Sequence, residues 1–327
     1  MDVTVSAHGT TATLQLLAGM VTARFTLEDG REIDPFYTAA WEGWTGVPLL
    51  EKLRGDFLCV PFGDSPASVE GYPAEWSDLV PGASTYPHGF CSNGTWEVVS
   101  VDDEAGVIEV RLAYPESEEV SEVYRCVECH PGRVDFIDTV RVRWECALPI
   151  GLHPIFSLPD EVGAARVILP KCAEFMTKPL PAEPTSLLAA NTRFHDPTAA
   201  PQIDNGTTDI TRLPFDGNRE EIVLACVPET AQVSVENHVE GYRATVTWDG
   251  DILKNVLLWI SNRGRDFEPW GGENVCLGVE PVSAAFDLGS GISAADNPVA
   301  AAGYATTVKL HPGEDLVIRH SVSVEAL

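Results

Sequence analysis

The 327-residue chain is 44% hydrophobic, ample for a core, which excludes disorder for its body. Its 49 acids against 21 bases leave a net charge of −28. That balance counts against nucleic acid and against anionic membrane surfaces, because both are bound through lysine and arginine. Neutral or cationic small molecules remain as ligands.

The N-terminal stretch Met1-Asp2-Val3-Thr4 shows no basic segment and no apolar h-region of a secretory signal. No apolar run approaches the ~20 residues of a membrane span. Eight cysteines are scattered without the spacing of a small disulfide scaffold, which suits reduced thiols. The expected location is the cytoplasm. Nothing in the sequence speaks to the oligomeric state.

Along the chain the period is two almost everywhere. After an Asp29-Gly30 turn, the first weakly patterned stretch is Gly63–Pro87, followed by Tyr86-Pro87-His88-Gly89-Phe90. Trp96–Val101 and Val107–Tyr114 read as a hairpin joined by Asp102–Gly106. Val120–Cys129 and Val134–Trp144 read as another around Pro131-Gly132, with Val140, Val142 and Trp144 on its apolar face. Within it, Cys126-Val127-Glu128-Cys129-His130 has the spacing of a c-type haem attachment. It sits inside an alternating strand, and no second Cys-x-x-Cys completes a zinc site, so both cysteines are taken as ordinary strand residues. A second unpatterned stretch, Pro179–Asn218, precedes a strand at Ile222–Cys226. Long loops of this kind are often functional, and both are expected at the rim of a site. Gly289-Ser290-Gly291 reads as a turn. In the last strand, Leu316, Ile318, His320, Val322 and Val324 share one face, which makes His320 a core histidine. No window shows a capped helical period, no internal repeat is found, and no linker divides the chain. The expectation is one all-β domain over residues 1–327, a large antiparallel β-sandwich.

Three residues stand out as candidates for chemistry. Val275-Cys276-Leu277-Gly278-Val279 is a buried-strand run that leads straight into Glu280 and Pro281. A carboxylate there is costly unless it is hydrogen-bonded or working, and the proline holds it extended and is expected to end the ladder. His153, in Gly151-Leu152-His153-Pro154-Ile155-Phe156, is likewise held extended before a proline. His88 lies on a turn between proline and glycine. Together they supply a base, an acid and a polar orienter at loop or strand-end positions, where function tends to sit.

In their order and in the β pattern between them, Pro87-His88-Gly89-Phe90 with Trp96, Gly151–Phe156 and Cys276–Pro281 resemble the aldose 1-epimerases, or galactose mutarotases. The resemblance implies a large β-sandwich with a sugar in an open cleft and no metal or organic cofactor. It implies Glu280 as general base on the anomeric hydroxyl, His153 as general acid on the ring oxygen, and His88 as a hydrogen-bonding partner of the substrate. Recognition departs from the family pattern. Where an arginine often follows the early proline-phenylalanine step, this chain has Val60-Pro61-Phe62-Gly63-Asp64-Ser65, and Cys91-Ser92 stand where many members carry a further arginine. The substrate-binding candidates are therefore Asp64, Arg54 from a neighbouring loop, and Trp270 as a sugar-stacking ring. For the family's binding aspartate the candidates are Asp216, Glu220 and Glu221.

The function this implies is anomer exchange on a monosaccharide by acid–base ring opening and reclosure. The alternatives are a non-catalytic sugar-binding sandwich and a hexose-6-phosphate 1-epimerase, for which Arg263 and Arg265 are the available cations. Ring opening with Glu280 ionised and His153 protonated is expected to need a raised His153 pKa and a lowered Glu280 pKa, through mutual attraction.

Overall fold

A computed structural model describes residues 2–41, 46–82 and 85–327. Strands β1 (Asp2–Ala7), β2 (Thr10–Gln15), β3 (Met20–Thr26) and β4 (Glu32–Ile33) form a small antiparallel sheet in sequence order. After a one-turn helix α1 (Pro48–Glu51) come β5 (Leu58–Cys59) and the hairpins β6 (Glu97–Asp102) with β7 (Val107–Ala113) and β8 (Val120–His130) with β9 (Arg133–Val142). Then follow β10 (Cys146–Leu148), β11 (Ile150–Leu152), β12 (Ile155–Ser157), β13 (Ala165–Ile168) and β14 (Glu174–Thr177). Four two-residue strands come next: β15 (Arg193–Phe194), β16 (Ala200–Pro201), β17 (Thr207–Thr208) and β18 (Arg212–Leu213). The longer strands of the second half are β19 (Arg219–Cys226), β20 (Gln232–Asn237), β21 (Tyr242–Trp248), β22 (Asn255–Asn262) and β23 (Val275–Ser283). Short helices α2 (Gly289–Ala294) and α3 (Pro298–Ala301) precede β24 (Val308–Leu310) and β25 (Leu316–Ala326).

Two large antiparallel sheets dominate. One has nine strands in the order β18-β13-β20-β21-β25-β9-β8-β7-β6; the other has eight, ordered β15-β14-β19-β22-β23-β11-β5 with β12 also on β23. The strands of the second sheet are apolar on both faces. Val223, Ala225, Val256, Leu258, Ile260, Leu277 and Val279 belong to the core shared with the nine-stranded sheet. Ile222, Leu224, Leu257, Trp259, Cys276 and Val282 face the other way, into a second cluster with Phe57, Phe62, Trp76 and Phe286. Alternation of side chains therefore puts Glu220 and Glu280 on that second face, away from the inter-sheet core. Among the described residues no helix is long and apolar enough to cross a membrane.

Several sequence expectations are corrected. The β8–β9 hairpin turns at Pro131-Gly132, but β9 ends at Val142 and Trp144 beyond it is 45% exposed. Pro281 does not end its strand: β23 runs on to Ser283, with Pro281 opposite Val256. The N–H of Val279 points to Pro154 O, so alternation turns position 281 toward the same side. There the partner is broken between β11 and β12, and no ladder donor is missed. Gly289-Ser290-Gly291 opens α2 rather than forming a turn. The Pro179–Asn218 stretch carries β15 to β18. Cys126 and Cys129 lie in β8 on opposite faces, the first half-buried and the second buried, so they cannot jointly hold one group.

Candidate active site

Glu280, His153 and His88 meet in one open cleft on the second face of the eight-stranded sheet, with a volume of about 400 Å³. Each is placed by a local backbone device. Glu280 projects from β23 beside Gly278, where any Cβ would collide with its carboxylate and stand 3.2 Å from the Trp259 Cβ. His153 fills the break between β11 and β12; its N–H donates to Phe57 O at 2.9 Å, and its ring stacks on Phe57 with centroids 4.4 Å apart. His88 adopts φ +57°, its N–H donating to Gly63 O at 2.8 Å. Gly89 follows at φ +83°, so close to the Val60 carbonyl that no Cβ fits.

His153 Nε2 stands 3.3 Å from Glu280 Oε1, and the rings of His88 and His153 are edge-to-face with centroids 5.2 Å apart. Burial governs their protonation. It pushes Glu280 well above the usual carboxylate range, reinforced by the Asp287 carboxylate and opposed by Arg265. It holds His153 well below the usual imidazole range, with His88 pressing the same way. His88 is held down to about 4 by burial, against the pull of Asp287. This reverses the expected directions, because burial of the charge is the leading cause at both groups. Buried polar atoms without a hydrogen-bond partner include Glu280 Oε1, His153 Nδ1 and His88 Nδ1. A ligand rich in hydroxyls would satisfy such atoms.

The remaining candidates separate. Asp64 lines the cleft, exposed, with its N–H on Asp287 O at 2.9 Å. Trp270 also lines it, edge-on to Trp41 and Trp259, but one ring face is taken by the Arg265 guanidinium at 4.7 Å. Arg54 does not line the cleft; its Nε donates to Lys52 O at 3.2 Å in the turn before β5. Asp216 is exposed in the turn before β19 and is also absent from the cleft wall. Glu221 is buried and accepts from Leu187 N and Leu188 N, tying down the long loop. Glu220 accepts from Trp259 Nε1 at 2.6 Å and Ser261 Oγ at 2.9 Å, and pairs with Arg265. Arg263 is turned outward to Asp160.

The long loops behave unequally. The Gly63–Pro87 stretch reaches the cleft at both ends, through Asp64 and Pro87. The 179–218 stretch touches the site through Glu183, which pairs with Arg265 at 3.1 Å; of the rest, β15 pairs with β14, Leu187 is tied to β19 by Glu221, and β18 joins the nine-stranded sheet beside β13. Sequence reasoning missed Asp287 and Lys178, paired at 2.7 Å, with Asp287 on the cleft wall. Neither sits in a motif. The one local sign, a positive φ at Phe286, is invisible in the letters.

The whole chain superposes on solved structures that include galactose mutarotase-like proteins. A galactose mutarotase-like protein from Clostridium acetobutylicum matches with TM-score 0.64 at 14% identity, covering 100% of this chain and 95% of that one. An aldose epimerase homologue from C. elegans matches with TM-score 0.64 at 14% identity, covering 100% and 99%. The fold is galactose mutarotase-like. A galactose mutarotase related enzyme from Lactobacillus acidophilus shares it, with TM-score 0.63 at 14% identity over 100% of this chain and 98% of that one. No protein-family model and no curated protein sequence matches the chain. At such identities the likeness concerns the galactose mutarotase-like fold, and the chemistry has to be argued from the cleft.

Proposed function

We propose that the chain is an aldose 1-epimerase-like mutarotase acting on an uncharged monosaccharide, with Glu280 and His153 as the proton-exchanging pair and His88 as a neutral hydrogen-bonding partner. The observation that carries this reading is the meeting of all three in one cleft, with His153 Nε2 3.3 Å from Glu280 Oε1. Opening a hemiacetal takes the proton from O1, returns one to the ring oxygen, breaks the C1–O5 bond and leaves a C1 aldehyde. Rotation about C1–C2 and the reverse steps deliver the other anomer. A pair that holds one proton in total is suited to this, since one member accepts while the other donates. By resemblance Glu280 serves O1 and His153 serves the ring oxygen, from the one-proton tautomer in which the proton has passed from Glu280 to His153 across their 3.3 Å contact. Positioned acid–base groups of this kind contribute about 10²–10⁴-fold.

The pH window follows from the pair rather than from either member. The one-proton state opens at the depressed His153 step and closes at the raised Glu280 step. Polarimetry of freshly dissolved aldoses tests the reading. An accelerated approach to equilibrium at pH 7 is the expected result. A spontaneous rate left unchanged by a protein that still binds sugar would leave a binding module instead.

A further inference from the structure

We propose that Arg265 is the specificity-determining residue of the cleft, a hydrogen-bond donor with its charge already neutralised that selects uncharged sugars over sugar phosphates. This rests on the epimerase reading above. Arg265 comes from the loop between β22 and β23 and lines the same cleft as Asp64 of the early loop. Its guanidinium packs against two indoles, 5.5 Å from the Trp259 ring and 4.7 Å from the Trp270 ring. Its Nε stands 3.1 Å from Glu183 Oε1 and 3.2 Å from Glu220 Oε1. Among the described residues, the hydrogen bond it donates runs from Nε, to Glu183.

Two consequences follow. The stacking and the paired carboxylates hold the fork in one orientation, so a hydroxyl meeting its terminal N–H groups meets a preorganised donor. The charge is paired as well: Glu183 and Glu220 face a single guanidinium, and the carboxyls of Asp64 and Asp287 line the same cleft. The other nearby cation, Lys178, is bound to Asp287 at 2.7 Å. A phosphate dianion would enter a cleft with no uncommitted positive charge near it, whereas a neutral sugar offers oxygens to the fork at no electrostatic cost.

The test measures anomer exchange by NMR, for an aldohexose and its 6-phosphate, on the wild type and on R265K, R265Q and E183Q. R265K keeps a counter-charge for buried Glu220 and so guards against misfolding in R265Q. The wild type is expected to favour the neutral sugar in kcat/KM by tenfold or more. R265K and R265Q are expected to raise KM for it by about tenfold or more with kcat changed only a few-fold, since lysine lacks the fork. E183Q, which frees positive charge, is expected to narrow the preference against the phosphate. A wild type that prefers the phosphate, an unchanged KM in R265Q, or an unchanged preference in E183Q overturns the inference. If the wild type turns over neither sugar, the epimerase reading fails, and titration of indole fluorescence with the same sugars then tests Arg265 alone. A weakened Kd for the neutral sugar in both Arg265 variants sustains its role. Equal Kd values, or no binding to the wild type, overturn it.

Discussion

At Glu280 the cost of burying a charge leads, reinforced by the Asp287 carboxylate and opposed by Arg265. The sign of the consequence is fixed. A carboxyl whose folded pKa lies above its unfolded value contributes stability that is present below the unfolded value and lost as pH rises through the folded one. Glu280→Gln removes that loss. We expect the variant to melt a few degrees above the wild type at pH 8, with the gap closing toward pH 4. A calorimetric scan at both pH values checks this, and a gap that widens toward pH 4 would contradict it. His153, held low by burial and by His88, should show the ¹⁵N shifts of a neutral imidazole at pH 7. Both identities were legible as residues before a proline in strand contexts. Their protonation was not, because desolvation depends on what the rest of the chain packs over them. Asp287 and Arg265 act on the Glu280 and His88 pKa values from elements that carry no motif.

At the scale of elements, the two large sheets are joined by a buried charge cluster. Arg125 of β8 pairs with Asp56, just before β5, and with Asp138 of β9 at 3.3 Å. His320 of β25 places Nε2 3.0 Å from Asp56 Oδ2 and stacks on Phe136. All four side chains are fully enclosed. Asp56 precedes Phe57, the ring under His153, so the cluster anchors the floor of the cleft from behind. Arg125→Ala would strand two carboxylates and should cost about 3–5 kcal/mol, read by denaturant unfolding; a loss below ~1 kcal/mol would show that the cluster ties nothing together. His320 was visible as a core residue, but its partner Asp56 lies 264 positions away in the chain and no local pattern announces it. Glu221, pushed up to about 7 by burial, ties Leu187 and Leu188 to β19. By the same sign argument the buried carboxyl favours the folded state most below its unfolded pKa, and that contribution is lost as pH rises through about 7, while the two N–H bonds favour the ionised form. Denaturant unfolding should show wild-type stability falling relative to Glu221→Gln between about pH 5 and 7.

Over the whole molecule, the alternating pattern and its turns were enough to read an all-β sandwich, because period two survives wherever one face is buried. It failed where both faces are covered, as in β19, β22 and β23, and where strands are two residues long. Those stretches read as apolar runs or as loops. The net charge of −28 acts at this scale too, since like charges on a compact surface repel and salt screens them. The melting temperature should climb by several degrees between ~0.05 M and ~1 M KCl, a range over which the Debye length falls from more than ~10 Å to ~3 Å. A flat response would show that ion pairs such as Arg141 with Glu122 and Asp315 already balance the surface locally.

Anomer exchange measured for the wild type and Glu280→Gln across pH tests the central claim most directly. The account predicts a bell-shaped kcat/KM for the wild type that includes pH 7, and a loss of about 10²-fold or more in the variant with sugar binding largely kept. Equal rates for the two proteins would remove Glu280 from the chemistry and contradict the account.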